Sequence, residues 1–231
     1  MKTNQDITDK FMFIAVVPAY KEEEKIGSVA RSLSVLVDKV IVVDDGSDDN
    51  TGKYAEEAGA VVLRHKINRG QGASLQTGHD YAKKLGADYV LHFDGDGQFD
   101  VNDIQPALAK LQTEKADILF GSRFLGRDSN VPLFKKIILF PLARIFNNFF
   151  TGLKLTDVHN GFRILNRRAL EQIIITHDRM AHATEIMAQT KKHKLKYVEF
   201  PVKIVYREYG QGLAGGLKIL GDLMLGGFIK K

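Results

Sequence analysis

Two carboxylates, Asp94 and Asp96, stand one residue apart in the segment Asp94-Gly95-Asp96-Gly97-Gln98. Side chains at alternate positions of an extended chain share a face, so both carboxylates can converge on one point. Like charges that close repel each other unless a cation lies between them. A hard divalent cation, Mg²⁺ or Mn²⁺, suits such oxygen ligands and would bring phosphate oxygens with it. The alternative is a solvated Asp-Gly turn after a strand.

The elements around this segment indicate where it lies. The run from Val90 to Phe93 is apolar and typical of a buried strand. Tyr20, Asp44-Asp45 and the turn 68–72 also follow apolar runs, and helical patterns alternate with them. This alternation predicts βαβ units and a mostly parallel sheet, in which ligands bind beyond the carboxyl ends of the strands. The four polar segments should therefore line one site on one edge of the sheet.

The periodicity predicts an α/β fold with a defined set of elements. Strands are expected over 13–17, 40–43, 60–63, 90–93, 118–120 and 197–205. Helices are expected over 26–36, 51–58, 73–85, 104–111, 166–175 and 181–192, and a polar loop over 156–163. His92 is expected to be a packed strand residue, whereas His65 and His79 show no pattern that indicates a partner.

Composition limits the possible classes of protein. A chain of 231 residues with 44% hydrophobic residues can form one large domain, and without cysteine it has no disulfide. We expect no signal peptide, because residues 1–10 are polar, and no transmembrane helix, because no run of about 18 apolar residues occurs. The net charge of +5 comes from the second half, which could meet phosphates or acidic lipid. It lacks a recognisable nucleic-acid readout motif, so no nucleic-acid partner is expected.

The segment 131–155 mixes many apolar and aromatic residues with Lys135, Lys136, Arg144 and Lys154. We interpret it as an amphipathic element that lies in a membrane interface; a pair of core helices is the alternative. Residues 211–231 carry a Gly-rich amphipathic pattern that could dock on lipid or on a second subunit, so a homo-oligomer is possible. The expected division is a catalytic domain over 1–210 with this insertion, followed by a tail over 211–231.

Taken together, the motifs resemble those of the family 2 glycosyltransferases of the GT-A type, in the branch that acts on dolichyl and polyprenyl phosphates. The resemblance extends over about residues 12–210 and rests on six segments: 17–22 (VPAYKE), 42–47 (VVDDGS), 68–73 (NRGQGA), 94–98 (DGDGQ), 121–124 (GSRF) and 156–163, with Thr-Asp and Asn-Gly-Phe-Arg. It implies a GT-A catalytic domain, a nucleotide-sugar donor, a divalent metal ion and inversion at the anomeric carbon.

The resemblance also implies roles for single residues. The donor would be bound by residues of the first four motifs: Pro18, Tyr20, Glu22, Asp44, Asp45, Arg69, Gly70 and Asp94. Asp94, Asp96 and Gln98 would hold the metal ion, and Arg123 would lie near the phosphates. Around Arg207 the family often has Arg-x-x-Gly-x-Ser-Lys; this chain keeps Arg207 and Gly210 but not Ser-Lys.

The expected reaction moves a hexose from a GDP-mannose or UDP-glucose type of donor to a polyprenyl phosphate at the cytoplasmic face of a membrane, with the enzyme bound peripherally. A phosphate acceptor is already largely ionised at pH 7, because its second pKa is about 6, and it needs positioning by cations more than a general base. Arg123 and Arg207 are the preferred cations; Lys135, Arg144 and Arg163 are further candidates, and each could instead be a solvated surface cation.

Two alternatives remain open. A sugar or small-molecule hydroxyl as acceptor would require a carboxylate base, for which Asp157 is the first candidate and Glu185 the second. Asp157 could equally cap or orient the loop that contains Gly161. A catalytically silent scaffold that binds nucleotide or membrane is the other alternative, against which the intact 94–98 segment argues.

Overall fold

The computed structural model describes residues 11–125 and 152–204. These residues form a seven-stranded sheet in the order β3-β2-β1-β4-β6-β5-β7. The strands are β1 (Phe13–Ala19), β2 (Lys39–Asp44), β3 (Val61–Arg64), β4 (Tyr89–His92), β5 (Ile118–Ser122), β6 (Arg163–Asn166) and β7 (Tyr197–Pro201). All neighbouring strands are parallel except where β6 pairs with β4 and β5. The predicted mostly parallel α/β fold is confirmed.

Helices cover both faces of the sheet. They are α1 (Ile26–Ser34), α2 (Thr51–Glu57), α3 (Gln71–Lys84), α4 (Ile104–Thr113), α5 (Arg167–Gln172) and α6 (His182–Lys192), with a 3₁₀ turn at Val101–Asp103 before α4. The side chains of β1 alternate between two hydrophobic clusters, because successive strand residues point to opposite faces. Phe13 and Val17 pack with α1 and α4, whereas Ile14 and Val16 pack with α3, α5 and α6.

Strand β6 differs from the sequence-based expectation. Residue 163 was assigned to a polar loop and residue 166 to a helix, but Arg163–Asn166 form an antiparallel strand in the middle of the sheet. The strand has only two apolar residues, which lie between Arg163 and Asn166, so its sequence resembles a polar loop, and its pairing with β4 and β5 is what defines it. Asn166 then ends the strand and is the N-cap of α5, because its side chain accepts a hydrogen bond of 2.9 Å from the Ala169 N–H.

Helix α3 begins two residues earlier than predicted. Gln71 is its first residue, and Gly70 precedes it with a φ of 104°, a conformation that favours glycine. The loop between α5 and α6 lies across this helix start, where Asp178 C=O accepts a hydrogen bond of 3.1 Å from Ala73 N–H. The start of α3 is therefore held from the side by a segment that follows it by about a hundred residues.

Several predictions concern residues beyond 11–125 and 152–204. The predicted amphipathic element over 131–155 falls largely on residues 126–151, and the tail over 211–231 follows residue 204, so both lie outside the described residues. The same holds for Arg207, Lys135 and Arg144. Among the described residues, no helix has the length and apolar character needed to cross a bilayer.

Candidate active site

The polar segments that follow β1, β2 and β4 meet at one edge of the sheet, because these strands are adjacent and parallel. In the register of the sheet Ala19 pairs with Asp44, and Val16 pairs with His92 two residues before Asp94. Pro18 lies within β1, partly buried, and Tyr20 follows it with 44% of its surface exposed. The predicted convergence of these segments on one edge is therefore present in the fold.

Asp45, which follows β2, binds the segment between β3 and α3. One carboxylate oxygen lies 2.7 Å from His65 Nδ1 and accepts a hydrogen bond of 2.9 Å from Arg69 N–H. The other accepts one of 2.6 Å from Gly70 N–H. His65 Nε2 lies 2.9 Å from the Thr77 hydroxyl, so His65 ties Asp45 to α3. His65 thus has partners that its sequence context did not indicate, and contact between Asp45 and a donor stays a prediction.

Asp44 has a different environment. Its side chain is completely buried, and one oxygen accepts a hydrogen bond of 2.9 Å from Ser47 N–H. The other lies 3.3 Å from Arg64 Nε, but the two are not aligned as a hydrogen bond, and Arg64 instead donates to Ser47 C=O. In this conformation Asp44 therefore braces the turn after β2, and its predicted contact with a donor stays a prediction.

Glu22 lies near the aspartate pair. Its backbone N–H donates a hydrogen bond of 2.8 Å to Thr51 Oγ1, which fixes the start of the turn before α1. Partial burial raises the pKa of Glu22, and the charge of Asp96 raises it further against the opposing effect of Lys25. The carboxylate of Glu22 is therefore close enough to that of Asp96 for their charges to repel.

Asp94 contacts two segments that are distant in sequence. Its Oδ1 accepts a hydrogen bond of 2.9 Å from Gln71 Nε2 at the start of α3. On its other side lies Gly161, where a Cβ would overlap Asp94 Oδ2 and come within 2.9 Å of Oδ1. Burial and the charge of Asp96 raise the pKa of Asp94 to about 7, although Arg163 and Gln71 act in the opposite direction.

Asp96 and Gln98 lie in the turn after Asp94. Asp96 Oδ1 accepts a hydrogen bond of 3.0 Å from Gln98 N–H, and the Gln98 side chain is exposed. The described residues contain no preassembled group of three metal ligands. The mutual repulsion of Glu22, Asp94 and Asp96 nevertheless suits a hard divalent cation, which would relieve it. These residues therefore fit the metal ion that the sequence predicts.

Arg123 and Asp157 form a buried ion pair beside this edge. Arg123 Nε and Nη2 donate hydrogen bonds of 2.6 and 2.7 Å to the two oxygens of Asp157, and Arg123 N–H adds one of 3.1 Å. The side chain of Asp157 is 1% exposed and that of Arg123 is 15% exposed. Asn160 Nδ2 lies 3.3 Å from the same carboxylate. These contacts suit the role in which Asp157 orients the loop around it, and its role as a base stays a prediction.

Arg163 and Glu185 are both engaged by their surroundings in this fold. Arg163 is 2% exposed, and its Nε has no hydrogen-bond partner among residues 11–125 and 152–204. Burial lowers its pKa to about 10, while Asp94 and Asp157 attract its charge. It is therefore a cation inside the sheet, which is at odds with the alternative of a solvated surface cation, and its contact with an acceptor phosphate stays a prediction. Glu185 accepts hydrogen bonds of 2.9 and 3.0 Å from Thr176 and His177 N–H and thus holds the loop before α6.

Three contacts of this site were missed from the sequence: Gln71 on Asp94, Gly161 against Asp94, and His65 on Asp45. Gln71 and Gly161 do lie within motifs that the sequence singled out. Their partners are 23 and 67 positions away along the chain, so no local pattern could have indicated the contacts. A fourth contact, in which His79 Nε2 lies 2.6 Å from His92 Nε2 in the core, was missed for the same reason.

The chain matches the family model of "Glycosyl transferase family 2" over residues 14–174. It is 30% identical to the UDP-N-acetylglucosamine–dolichyl-phosphate N-acetylglucosaminyltransferase of Methanococcus voltae, over 95% of this chain and 97% of the relative. It is 26% identical to the polyprenol monophosphomannose synthase of Mycolicibacterium smegmatis, over 89% of this chain and 82% of the relative. The chain therefore belongs to glycosyltransferase family 2, as its motifs predicted.

Solved structures support the same fold. Glucosyl-3-phosphoglycerate synthase of Mycobacterium tuberculosis, in complex with Mn²⁺, uridine diphosphate and glucosyl-3-phosphoglycerate, superposes with a TM-score of 0.69. The match covers 92% of this chain and 76% of the synthase at 19% sequence identity. At this identity the similarity shows the GT-A fold alone, in agreement with the predicted fold class.

Proposed function

We propose that this protein is a metal-dependent inverting glycosyltransferase that moves a sugar from a nucleotide-sugar donor to a polyprenyl phosphate. Relatives with this type of acceptor match nearly the whole chain, and their names include both an N-acetylglucosaminyl and a mannosyl donor group. The acceptor class is therefore better supported than the donor. A hexose donor of the GDP-mannose or UDP-glucose type is the starting hypothesis.

The bidentate ion pair between Arg123 and Asp157 is the observation that carries this proposal. Transfer to a hydroxyl requires a carboxylate that can take a proton, and Asp157 was the first candidate. All its described contacts are hydrogen-bond donors, and Glu185, the second candidate, is engaged by the loop before α6. A phosphate acceptor, which is already largely ionised at pH 7, needs no such base.

The chain's own residues have separable tasks in this reaction. Asp94, Asp96 and Gln98 would hold a divalent cation, which neutralises the donor diphosphate as the nucleotide leaves. Pro18, Tyr20, Glu22 and Asp45, with the Arg69-Gly70 turn, would form the donor pocket. The Arg123–Asp157 pair would hold the loop that places Gly161 against Asp94. The acceptor phosphate would then lie in line with the anomeric carbon, which is a problem of positioning.

Peripheral attachment to an anionic membrane is part of the proposal. The relatives' lipid acceptors support it, as does the basic, aromatic sequence over 131–155. Lys135, Arg144 and Arg207 remain candidates for the acceptor phosphate on sequence grounds. We also propose that the protein acts at the cytoplasmic face of the membrane and that it can form a homo-oligomer.

A panel of donors and acceptors tests the proposal. The purified chain is incubated with UDP- and GDP-sugars, Mn²⁺, and vesicles that contain either a polyprenyl phosphate or the corresponding polyprenol. Mass spectrometry should detect a glycosyl phosphodiester with the phosphate only, and chelation of the metal should abolish it. Asp96→Asn should lower the rate at least a hundredfold, whereas Asp38→Asn, at the amino ends of β1 and β2, should not.

Two outcomes would contradict the proposal in different ways. Transfer to a free sugar or to the polyprenol at a comparable rate would support the hydroxyl acceptor. Binding of a nucleotide-sugar with no transfer to any acceptor, and no Mn²⁺-dependent hydrolysis of the donor, would support the catalytically silent scaffold.

A further inference from the structure

The side-chain amide of Gln71 donates a hydrogen bond to the carboxylate of Asp94. Its Nε2 donates to Asp94 Oδ1 at 2.9 Å, across 23 positions of the chain. No other side-chain hydrogen bond to Asp94 occurs among the described residues. The remaining oxygen, Oδ2, lies against the backbone of Gly161. The rotamer of Asp94 is therefore determined by one amide donor and one steric contact from opposite sides.

The position of Gln71 is itself firmly defined. It is the first residue of α3, directly after Gly70, whose N–H donates to Asp45 Oδ2 at 2.6 Å. Ala73 N–H donates to Asp178 C=O at 3.1 Å on the other side of the helix start. The backbone on both sides of Gln71 is thus fixed by hydrogen bonds, which limits the positions that its side-chain amide can take relative to Asp94.

The chemistry of an amide suits this contact. A glutamine donates an N–H to a carboxylate without a formal charge, whereas lysine or arginine would bring a full positive charge. The carboxylates of Glu22, Asp94 and Asp96 lie close enough for their charges to repel one another. A cationic side chain at position 71 would neutralise part of that charge, and a divalent cation would then be less attracted to the site.

We propose that Gln71 is a positioning residue that orients Asp94 for a divalent cation while leaving the negative charge of the site intact. This inference rests on the proposed function, because it requires the cation. Hydrogen bonds from such outer residues to metal ligands typically change metal affinity by about 10- to 100-fold. The contact of Gln71 with Asp94 should fall within that range.

The test measures Mn²⁺ binding directly, by electron paramagnetic resonance of free Mn²⁺ with UDP or GDP present. Gln71→Met keeps the length of the side chain and removes the donor, so the dissociation constant of Mn²⁺ should rise about tenfold. Gln71→Lys adds a charge, so the rise should exceed that of Gln71→Met. The matched controls are Gln105→Met and Gln105→Lys on α4, where Gln105 donates to Leu36 C=O, and neither should change Mn²⁺ binding.

The outcomes separate this inference from the proposed function. If wild-type protein binds Mn²⁺ and both Gln71 variants bind it equally well, the inference is wrong and the proposed function stands. If both variants bind it weakly by the same factor, Gln71 affects the site without the charge effect, and the inference is also wrong. If wild-type protein binds no Mn²⁺ with either nucleotide, both are wrong. Thermal unfolding of each variant shows whether the fold is retained.

Discussion

The carboxylates of this chain differ sharply in what surrounds them, although the sequence presents them as similar acidic residues in loops. Asp45 and Asp157 are enclosed by hydrogen-bond donors and hold loops in place. Asp94 has one amide donor, and its burial together with the charge of Asp96 raises its pKa to about 7, against the opposing effects of Arg163 and that donor. The groups with satisfied hydrogen bonds define the shape of the site, and those with repelling neighbours are the ones suited to a cation.

Gly161 gives a test at the level of one methyl group. A Cβ at this position would overlap Asp94 Oδ2, so Gly161→Ala should displace the carboxylate from its position beside Gln71. We expect at least a tenfold loss of Mn²⁺-dependent transfer, with a smaller effect on the thermal midpoint.

Gly27→Ala in α1 is the control for this prediction, because its Cβ would meet the nearest atom, Tyr54 O, at 3.3 Å and it does not contact Asp94. A Gly161→Ala variant with wild-type dependence of the rate on Mn²⁺ concentration would show that the contact with Asp94 has no role in metal binding.

Helix α3 connects the core to the site. Its first residue contacts Asp94, Thr77 contacts His65, and Gly78 lies directly on Val16 of β1. Because Gly78 has no side chain, the helix can approach the sheet closely enough for these contacts to form. The geometry of the site therefore depends on a packing contact about two turns of helix away.

This packing contact predicts a specific pair of variants. A Cβ at position 78 would overlap Val16 Cγ1, so Gly78→Ala should lower the free energy of unfolding by about 1–3 kcal/mol. Val16→Ala alone leaves a cavity and should also be destabilising. In the double variant the new methyl group fills the vacated space, so its loss should be smaller than the sum of the two single losses.

Urea denaturation of the wild-type protein, the two single variants and the double variant measures the coupling between positions 16 and 78. Strictly additive losses would show that α3 and β1 do not meet at these two residues. Transfer activity measured on the same samples shows whether a shift of α3 reaches Asp94.

At the scale of the whole molecule, a pair of histidines joins the sheet to α3 in the core, with His92 on β4 and His79 on α3. His79 and His92 are fully buried, and their Nε2 atoms lie 2.6 Å apart, so one ring must donate and the other accept. Burial lowers the pKa of His79 to about 3 and lowers that of His92 well below its usual value. Charging both rings would place two N–H groups against each other inside the core.

Stability should therefore fall on acidification. The unfolded chain takes up protons on these histidines below pH about 6.5, whereas the native protein does not until its much lower pKa values are reached. In the window from pH 6.5 down toward 4, His79 should reduce the free energy of unfolding by about 1.4 kcal/mol per pH unit, and His92, whose pKa is also lowered, should add to this loss. Urea denaturation at pH 7.5, 6.0 and 5.0 measures this slope.

The variant His79→Leu/His92→Leu replaces the pair by apolar side chains and should show a clearly smaller loss between pH 6.0 and 5.0. Circular dichroism at pH 7.5 checks that this variant is folded. An unchanged slope in a folded double variant would mean that the acid sensitivity has another origin.

The sequence alone determined most of the helices and strands. The alternation of apolar runs with helical patterns predicted the elements of the parallel part of the sheet, because burial imposes a period of two on strands and 3.6 on helices. The motifs predicted the family, and placing polar segments after strands predicted their meeting at one edge. Strand β6 was missed, because only two apolar residues lie between Arg163 and Asn166 and its two partners lie far away in sequence.

Which partner each polar side chain takes was decided by the tertiary contacts. Arg123 lies on both oxygens of Asp157, and Arg163 lies inside the sheet because it belongs to β6. A role of Asp157 as a base stays a prediction. Gln71 and Gly161 meet Asp94 only because α3, β4 and the loop before β6 pack together. Such contacts join residues distant in sequence, and their energies depend on burial and geometry, which a linear pattern does not encode.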